Sequence, residues 1–219
     1  MRYFFHIAYC GTQYRGWQRQ ANVISVQSVF EDSLFKIFKT KISTIGCGRT
    51  DAQVHASQYF IQADIPYEWD FDLLFRLNKA LPIDISVFDI IPVDEKSNAR
   101  FDAIERTYDY FIHAYKDPFL AEKSAYYDIG NLDIDPILKA ISLIHTHTDF
   151  RAFCLCPDRH NTTICNIKSA QLFYDKSGDR LRFQITSNRF IRGMIRILIS
   201  KFLEIGNKTM SYETFEHLF

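Results

Sequence analysis

The chain has 219 residues, 47% of them hydrophobic and 16% aromatic, with 26 Lys and Arg against 26 Asp and Glu. That length and core content exclude a disordered or fibrous chain and allow one large domain or two small ones. No apolar stretch approaches a membrane span. Five cysteines without framework spacing point to reduced thiols, and so to a cytoplasmic protein.

Residues 2–9 read as an aromatic-rich strand, too short and too polar-flanked for a signal peptide. Residues 10–20 form a polar loop punctuated by Gly11 and Gly16. Ser25 is placed to cap a helix whose apolar residues fall at Val26, Val29, Phe30, Leu34, Ile37 and Phe38. Residues 42–47 read as a strand ending at a Gly/Asp turn, and residues 54–63 as another. Asp70 is expected to cap a helix that runs to Leu81 and is stopped by Pro82. Residues 83–91 are again extended. Strand, helix, strand, strand, helix, strand is the ferredoxin-like split unit. Residues 92–99 read as a connection, which gives an N-terminal half at 1–95 and a C-terminal half at 96–219.

The second half partly repeats the scheme. Residues 106–114 alternate as a strand through Tyr108, Tyr110 and Ile112. Asp135-Pro136 is expected to start a helix, with the proline where its missing N–H does no harm. Residues 167–174 and 180–187 read as a hairpin across Lys176-Ser177-Gly178-Asp179. Asn188 is expected to cap a last helix that runs to Glu204 and ends at Gly206. On such a helix Arg189, Arg192 and Arg196 would share one edge. That stripe is either a reach into a cleft or a solvated edge with snorkelling stems. A closing strand is expected next, and the sequence reaches Phe219 without one.

Neutral overall charge hides local asymmetry. Residues 1–56 carry seven Lys and Arg against three acids, and residues 176–201 carry seven against one. Residues 64–95 carry eight acids against two bases. If the two basic segments meet, they form the footprint of a phosphate-backbone binder.

The chemistry concentrates in Gly48-Arg49-Thr50-Asp51-Ala52-Gln53-Val54-His55. A carboxylate on a turn beside an arginine stays ionised, because the positive neighbour favours the charged form. An ionised, positioned and poorly solvated Asp51 is a nucleophile or a general base; the plain alternative is an Asx-turn that caps its own backbone. Trp17 is either a stacking surface for a base or a loop anchor. Cys154, Cys156, His160 and Cys165 lack the spacing of a zinc knuckle and read as small apolar thiols in a loop. A nuclease would need more clustered carboxylates than stand near Asp51.

The loops together resemble the TruA-type tRNA pseudouridine synthases. The matching pieces are Tyr9 with Gly11-Thr12, Gly16-Trp17-Gln18-Arg19-Gln20, Ser25-Val26-Gln27, Gly48-Arg49-Thr50-Asp51-Ala52 with Val54-His55-Ala56, Ala99-Arg100-Phe101 with Arg106-Thr107-Tyr108, Asp149-Phe150, and Asn188-Arg189-Phe190-Ile191-Arg192 with Met194-Ile195-Arg196. The resemblance implies an α+β pseudouridine synthase fold of two ferredoxin-like halves, with antiparallel or mixed sheets and a basic cleft. It implies an isomerase that converts uridine to pseudouridine in the anticodon arm of tRNA, as a homodimer, without metal or organic cofactor. In it Asp51 is the catalytic carboxylate, Tyr108 receives the target base and Arg196 pairs with the aspartate. Arg49, Arg19, Trp17, Arg192, Arg189 and Arg100 are the implied RNA-binding residues. Cys10, Gln53 and Ser200 depart from the pattern, Gln53 at a position where the family usually has glycine. The alternative is a catalytically weakened relative that only binds RNA.

Overall fold

The computed structural model describes residues 1–66 and 68–219. The chain divides into two compact units, Met1–Ala103 and Ile104–Phe219. The expected boundary at residue 95 thus falls eight residues earlier. Residues 96–103 stay with the first unit: the Ala99 N–H donates to Gln62 Oε1 at 3.1 Å, and Arg2 donates to the Ser97 carbonyl at 2.9 Å.

The first unit runs β1 (Arg2–Tyr9), α1 (Val26–Phe38), β2 (Thr44–Gly46), β3 (Ala56–Asp64), α2 (Leu73–Ala80) and β4 (Ile85–Val93). Its sheet has the order β2-β3-β1-β4 with every pair antiparallel. Alternation in β1 sends Phe5, Ile7 and Tyr9 to one face, where they pack with Ile61, Val87, Phe30, Leu34 and Leu77 in a single core. Phe5 meets Phe30 edge to face at 5.4 Å. Ser25 caps α1 as expected, in a reciprocal capping box with Ser28. The cap of α2 is Asp72 instead of Asp70; its carboxylate accepts the Phe75 N–H at 2.9 Å, which only the residue just before the first turn can do.

The second unit runs β5 (Arg106–His113), β6 (Ala125–Tyr126), α3 (Ile134–Leu143), β7 (Ile167–Tyr174), β8 (Arg180–Ser187), α4 (Met194–Gly206) and α5 (Tyr212–Glu216). Its sheet order is β6-β5-β8-β7. Place for place, β7, β8 and β5 stand where β2, β3 and β1 stand in the first sheet. The position of β4 is taken by two-residue β6, which runs parallel to β5. Phe183 of β8 stacks on Phe202 of α4 at 5.8 Å, in a core shared with Ile137, Ile141, Leu198 and Phe215. Both units therefore hold one sheet covered on one face by helices, as the alternating patterns required.

Two expectations for the second unit are corrected. Helix α3 begins at Ile134, so Pro136 is its third residue, still within the turn whose N–H groups lack helical partners. After α4 comes the short helix α5, and among the described residues no closing strand follows it, as the sequence indicated. Helix α4 begins at Met194, six residues after Asn188. Gly193 precedes it at φ +81°, and a side chain there would lie 2.7 Å from Leu155 Cγ. The Leu155 N–H also donates to the Arg192 carbonyl at 2.8 Å. Residues 188–193 are thereby held as a loop against 154–156, and a long-range contact overrides local helical spacing. Arg189 and Arg192 sit on that loop and only Arg196 on the helix, so the expected stripe on one helix edge does not form.

Candidate active site

The turn 48–55 joins β2 to β3 and is fastened on its inner side by bonds from distant parts of the first unit. The Trp17 N–H donates to the Thr50 carbonyl at 3.1 Å, and the Gln53 N–H to the Tyr14 carbonyl at 3.1 Å. Within the turn, the Val54 N–H donates to the Asp51 carbonyl at 3.3 Å. The Tyr9 hydroxyl shares a hydrogen bond of 2.8 Å with the Thr50 hydroxyl, and the Tyr59 hydroxyl donates to the Gly48 carbonyl. The Gly11 N–H donates to His55 Nδ1 at 3.1 Å, so His55 ties the end of the turn to the loop after β1. Tyr14 is itself fixed by its hydroxyl, which donates to Asp84 at 2.7 Å; burial and that carboxylate push its pKa up.

Two glycines form the bed of the turn. A Cβ on Gly11 would lie 2.0 Å from the Val54 carbonyl oxygen, and one on Gly16, at φ +90°, 2.5 Å from that of Thr50. Only a residue without a side chain lets the two loops approach so closely. Gln53 adopts φ +64°, the left-handed conformation that a glycine would take without strain. Gln53→Gly is expected to raise stability by about 0.5–1 kcal/mol, the strain relieved less the extra backbone entropy lost; a urea unfolding curve measures it.

The sequence pointed to a desolvated Asp51, and the chain does not bury it. Asp51, Ala52 and Gln53 form the exposed tip of the turn. What the fold supplies is positioning: an outward carboxylate on a turn whose backbone is tied down behind it.

The other expected residues fall as follows. Trp17 is only 3% exposed and packs on Tyr59 at 4.6 Å between ring centroids, which is the anchor reading. Arg19 is paired with Glu31 at 2.9 Å and Asp32 at 2.8 Å. Glu31 also accepts from the Thr44 N–H and hydroxyl, so this group braces α1 against β2 and takes up the Arg19 charge. Arg49 is exposed and lines a cleft in the first unit with Arg100 and Phe101. Tyr108 of β5 is half-buried, with Phe190 edge-on at 5.0 Å, and Arg196 is exposed on the first turn of α4.

The sequence reading missed Tyr9, Tyr14, Gly16 and Tyr59 as supports of the turn. A signal existed in the glycines five residues apart after β1, since glycines in a polar loop mark close backbone approach. All five cysteines are thiols outside any disulfide. Burial pushes Cys165 up to about 11 and raises Cys154 as well, which suits core filling rather than nucleophilic work. Among the described residues, no three His, Cys, Asp or Glu side chains are grouped to hold a metal ion. Nor is any helix among them long and apolar enough to cross a membrane.

Comparison with known proteins gives one consistent result. A family model described as tRNA pseudouridine synthase matches residues 140–219. The tRNA pseudouridine synthase A of Porphyromonas gingivalis is 35% identical over 220 residues, covering 99% of this chain and 87% of that protein. That of Bacteroides fragilis is 36% identical over 220 residues, covering 99% and 86%. That of Prochlorococcus marinus is 33% identical over 213 residues, covering 96% and 79%.

Proposed function

The chain belongs to the tRNA pseudouridine synthase A family, and from that premise we propose that it isomerises uridines of the tRNA anticodon stem-loop with Asp51 as the catalytic carboxylate. The observation that carries this reading is the turn itself. An exposed aspartate is held at the tip of a loop fixed by Tyr9, Gly11, Tyr14, Gly16, Trp17 and Tyr59. Ordering a loop this thoroughly has a conformational cost that a mere surface connection would not require.

In the reaction the N1–C1′ glycosidic bond breaks, the uracil turns within the site, and C5 joins C1′; the C5 proton is released and N1 regains one. An ionised Asp51 supplies the carboxylate that attacks C1′ or C6. Tyr108 offers an aromatic surface for a base that has left its stack, and Arg196 offers the guanidinium that keeps the carboxylate charged. Keeping the freed base beside the sugar supplies much of the rate, since reactants held in place need no second encounter. Arg49, Arg100, Arg189 and Arg192 are assigned to the phosphate backbone; Arg19 is left out because two acids already neutralise it. We place the enzyme in the cytoplasm, as a homodimer.

The decisive experiment is incubation of the purified chain with an anticodon stem-loop RNA, followed by nucleoside analysis. Pseudouridine is expected at loop or adjacent stem uridines, and none in a T-arm RNA. RNA bound but never isomerised would return the chain to the binding-only reading. Arg192→Ala is expected to weaken RNA binding and to flatten the plot of log K against log salt by about 0.7–0.9, the loss of one phosphate contact. An unchanged slope in a salt titration would remove Arg192 from the RNA face.

A further inference from the structure

The first unit holds a cleft of about 250 Å³ beside the start of the catalytic turn. Asp51 is not among its lining residues. Arg49 and Arg100 stand at it with Phe101, Asn98 and Gln18. Phe101 is 78% exposed, and the Arg100 guanidinium lies 5.7 Å from its ring centre. A large aromatic so far out of the core is unusual on a rigid element, yet this one is held firmly. Asn98 Oδ1 accepts the N–H groups of Arg100 and Phe101 at 3.0 and 3.1 Å. The Asp102 N–H donates to the Asn98 carbonyl at 2.9 Å, and Asp102 Oδ2 accepts the Asn98 N–H at 2.7 Å. Ala99 is pinned to buried Gln62 of β3.

We propose that this cleft takes one unstacked nucleotide of the RNA other than the target uridine, its base on the Phe101 ring and its phosphate at Arg49. The inference rests on the reading that the substrate is RNA. A preordered ring binds at low entropic cost, and an aromatic face accepts any base without regard to sequence. The volume lies below the roughly 300–1,000 Å³ of pockets that enclose drug-sized ligands, as suits a single nucleotide. The guanidinium groups at the cleft favour a phosphate over a neutral ligand, because a charge-assisted hydrogen bond to an anion is the stronger one. Two extruded nucleotides, one toward Asp51 and one here, would fix the register of the strand between them.

The test is binding of an anticodon stem-loop RNA to the full chain. Phe101→Ala should raise Kd about 10-fold, the loss of one stacked base, with an unchanged unfolding midpoint. Phe101→Trp should bind within about 2-fold of wild type, since it keeps the stacking face, and its added fluorescence should be quenched by the RNA. Arg49→Ala should lower the salt slope by about one phosphate contact. A Kd for Phe101→Ala within about 2-fold of wild type, a Phe101→Trp fluorescence indifferent to RNA, or an unaltered slope for Arg49→Ala overturns the assignment. All three readouts are taken without turnover, so a failure of the isomerase chemistry and a failure of this cleft register separately.

Discussion

Asp51→Ala is expected to lower pseudouridine formation by at least about 10³-fold while RNA binding is kept or tightened. The size follows from what is lost: without the carboxylate nothing at the tip of the turn can attack sugar or base, and only positioning of the substrate remains. Binding is preserved because Asp51 carries a negative charge toward a polyanion, so its removal relieves repulsion. The tip is exposed, so the substitution leaves the core of the first unit untouched. Release of tritium from RNA labelled at uridine C5 measures the chemistry, and retention of the same RNA on filters measures binding. Residual turnover within about 10-fold of wild type would transfer the catalytic role away from Asp51, since a positioned acid or base alone contributes about 10²–10⁴-fold.

Gly16→Ala is the second large effect, and it acts from a residue with no chemistry of its own. Its Cβ would lie 2.5 Å from the Thr50 carbonyl oxygen and 3.2 Å from the Asp51 carbonyl carbon, both backbone atoms that cannot swing aside. The substitution also strains a backbone at φ +90°. We expect a stability loss of about 2–4 kcal/mol from the left-handed strain and the overpacking together. At roughly 2–4 °C per kcal/mol for a chain of this size, the unfolding midpoint falls by about 4–16 °C. The turn must withdraw to make room. A displacement near 1 Å at the reacting group is enough to cost about 10²-fold in kcat/KM. Measured well below the new midpoint, activity falls far more than the folded fraction. Activity that follows the folded fraction alone would mean that the turn does not rest on Gly16.

Much of the fold was legible because its signals are local. The hairpin of β7 and β8 was bounded to the residue by its alternation and by the Lys176–Asp179 turn signal. Strand β1 and helix α1 were equally plain, since Ser25 and the apolar spacing agree. The failures share one cause, which is that something far away in sequence decided. Residues 188–193 carry a cap-like asparagine and arginines at helical spacing, yet Leu155 holds them open as a loop. The Asp70 for Asp72 slip is of another kind: both residues cap well, and only geometry chooses between them. In the candidate site, Asp51 was legible from its own neighbours. Its supports were not, because Tyr9, Tyr14 and Tyr59 reach the turn across the sheet and a loop, and nothing in their local sequence names their partner. Phe101 was visible as a motif residue, but its outward placement needed coordinates.

The contact of Leu155 with Gly193 makes two surface loops one mechanical piece. With the leucine carbon 2.7 Å from where a Cβ would be, and the backbone at φ +81°, the glycine cannot gain a side chain unless the leucine moves or shrinks. Relatives that place a side chain at the glycine should carry a smaller or displaced residue opposite, and an insertion in the 154–156 loop would drag Arg192 with it through the Leu155–Arg192 backbone bond. Natural drift in this region should therefore come in matched pairs, even though each loop by itself looks like the kind of segment that tolerates change.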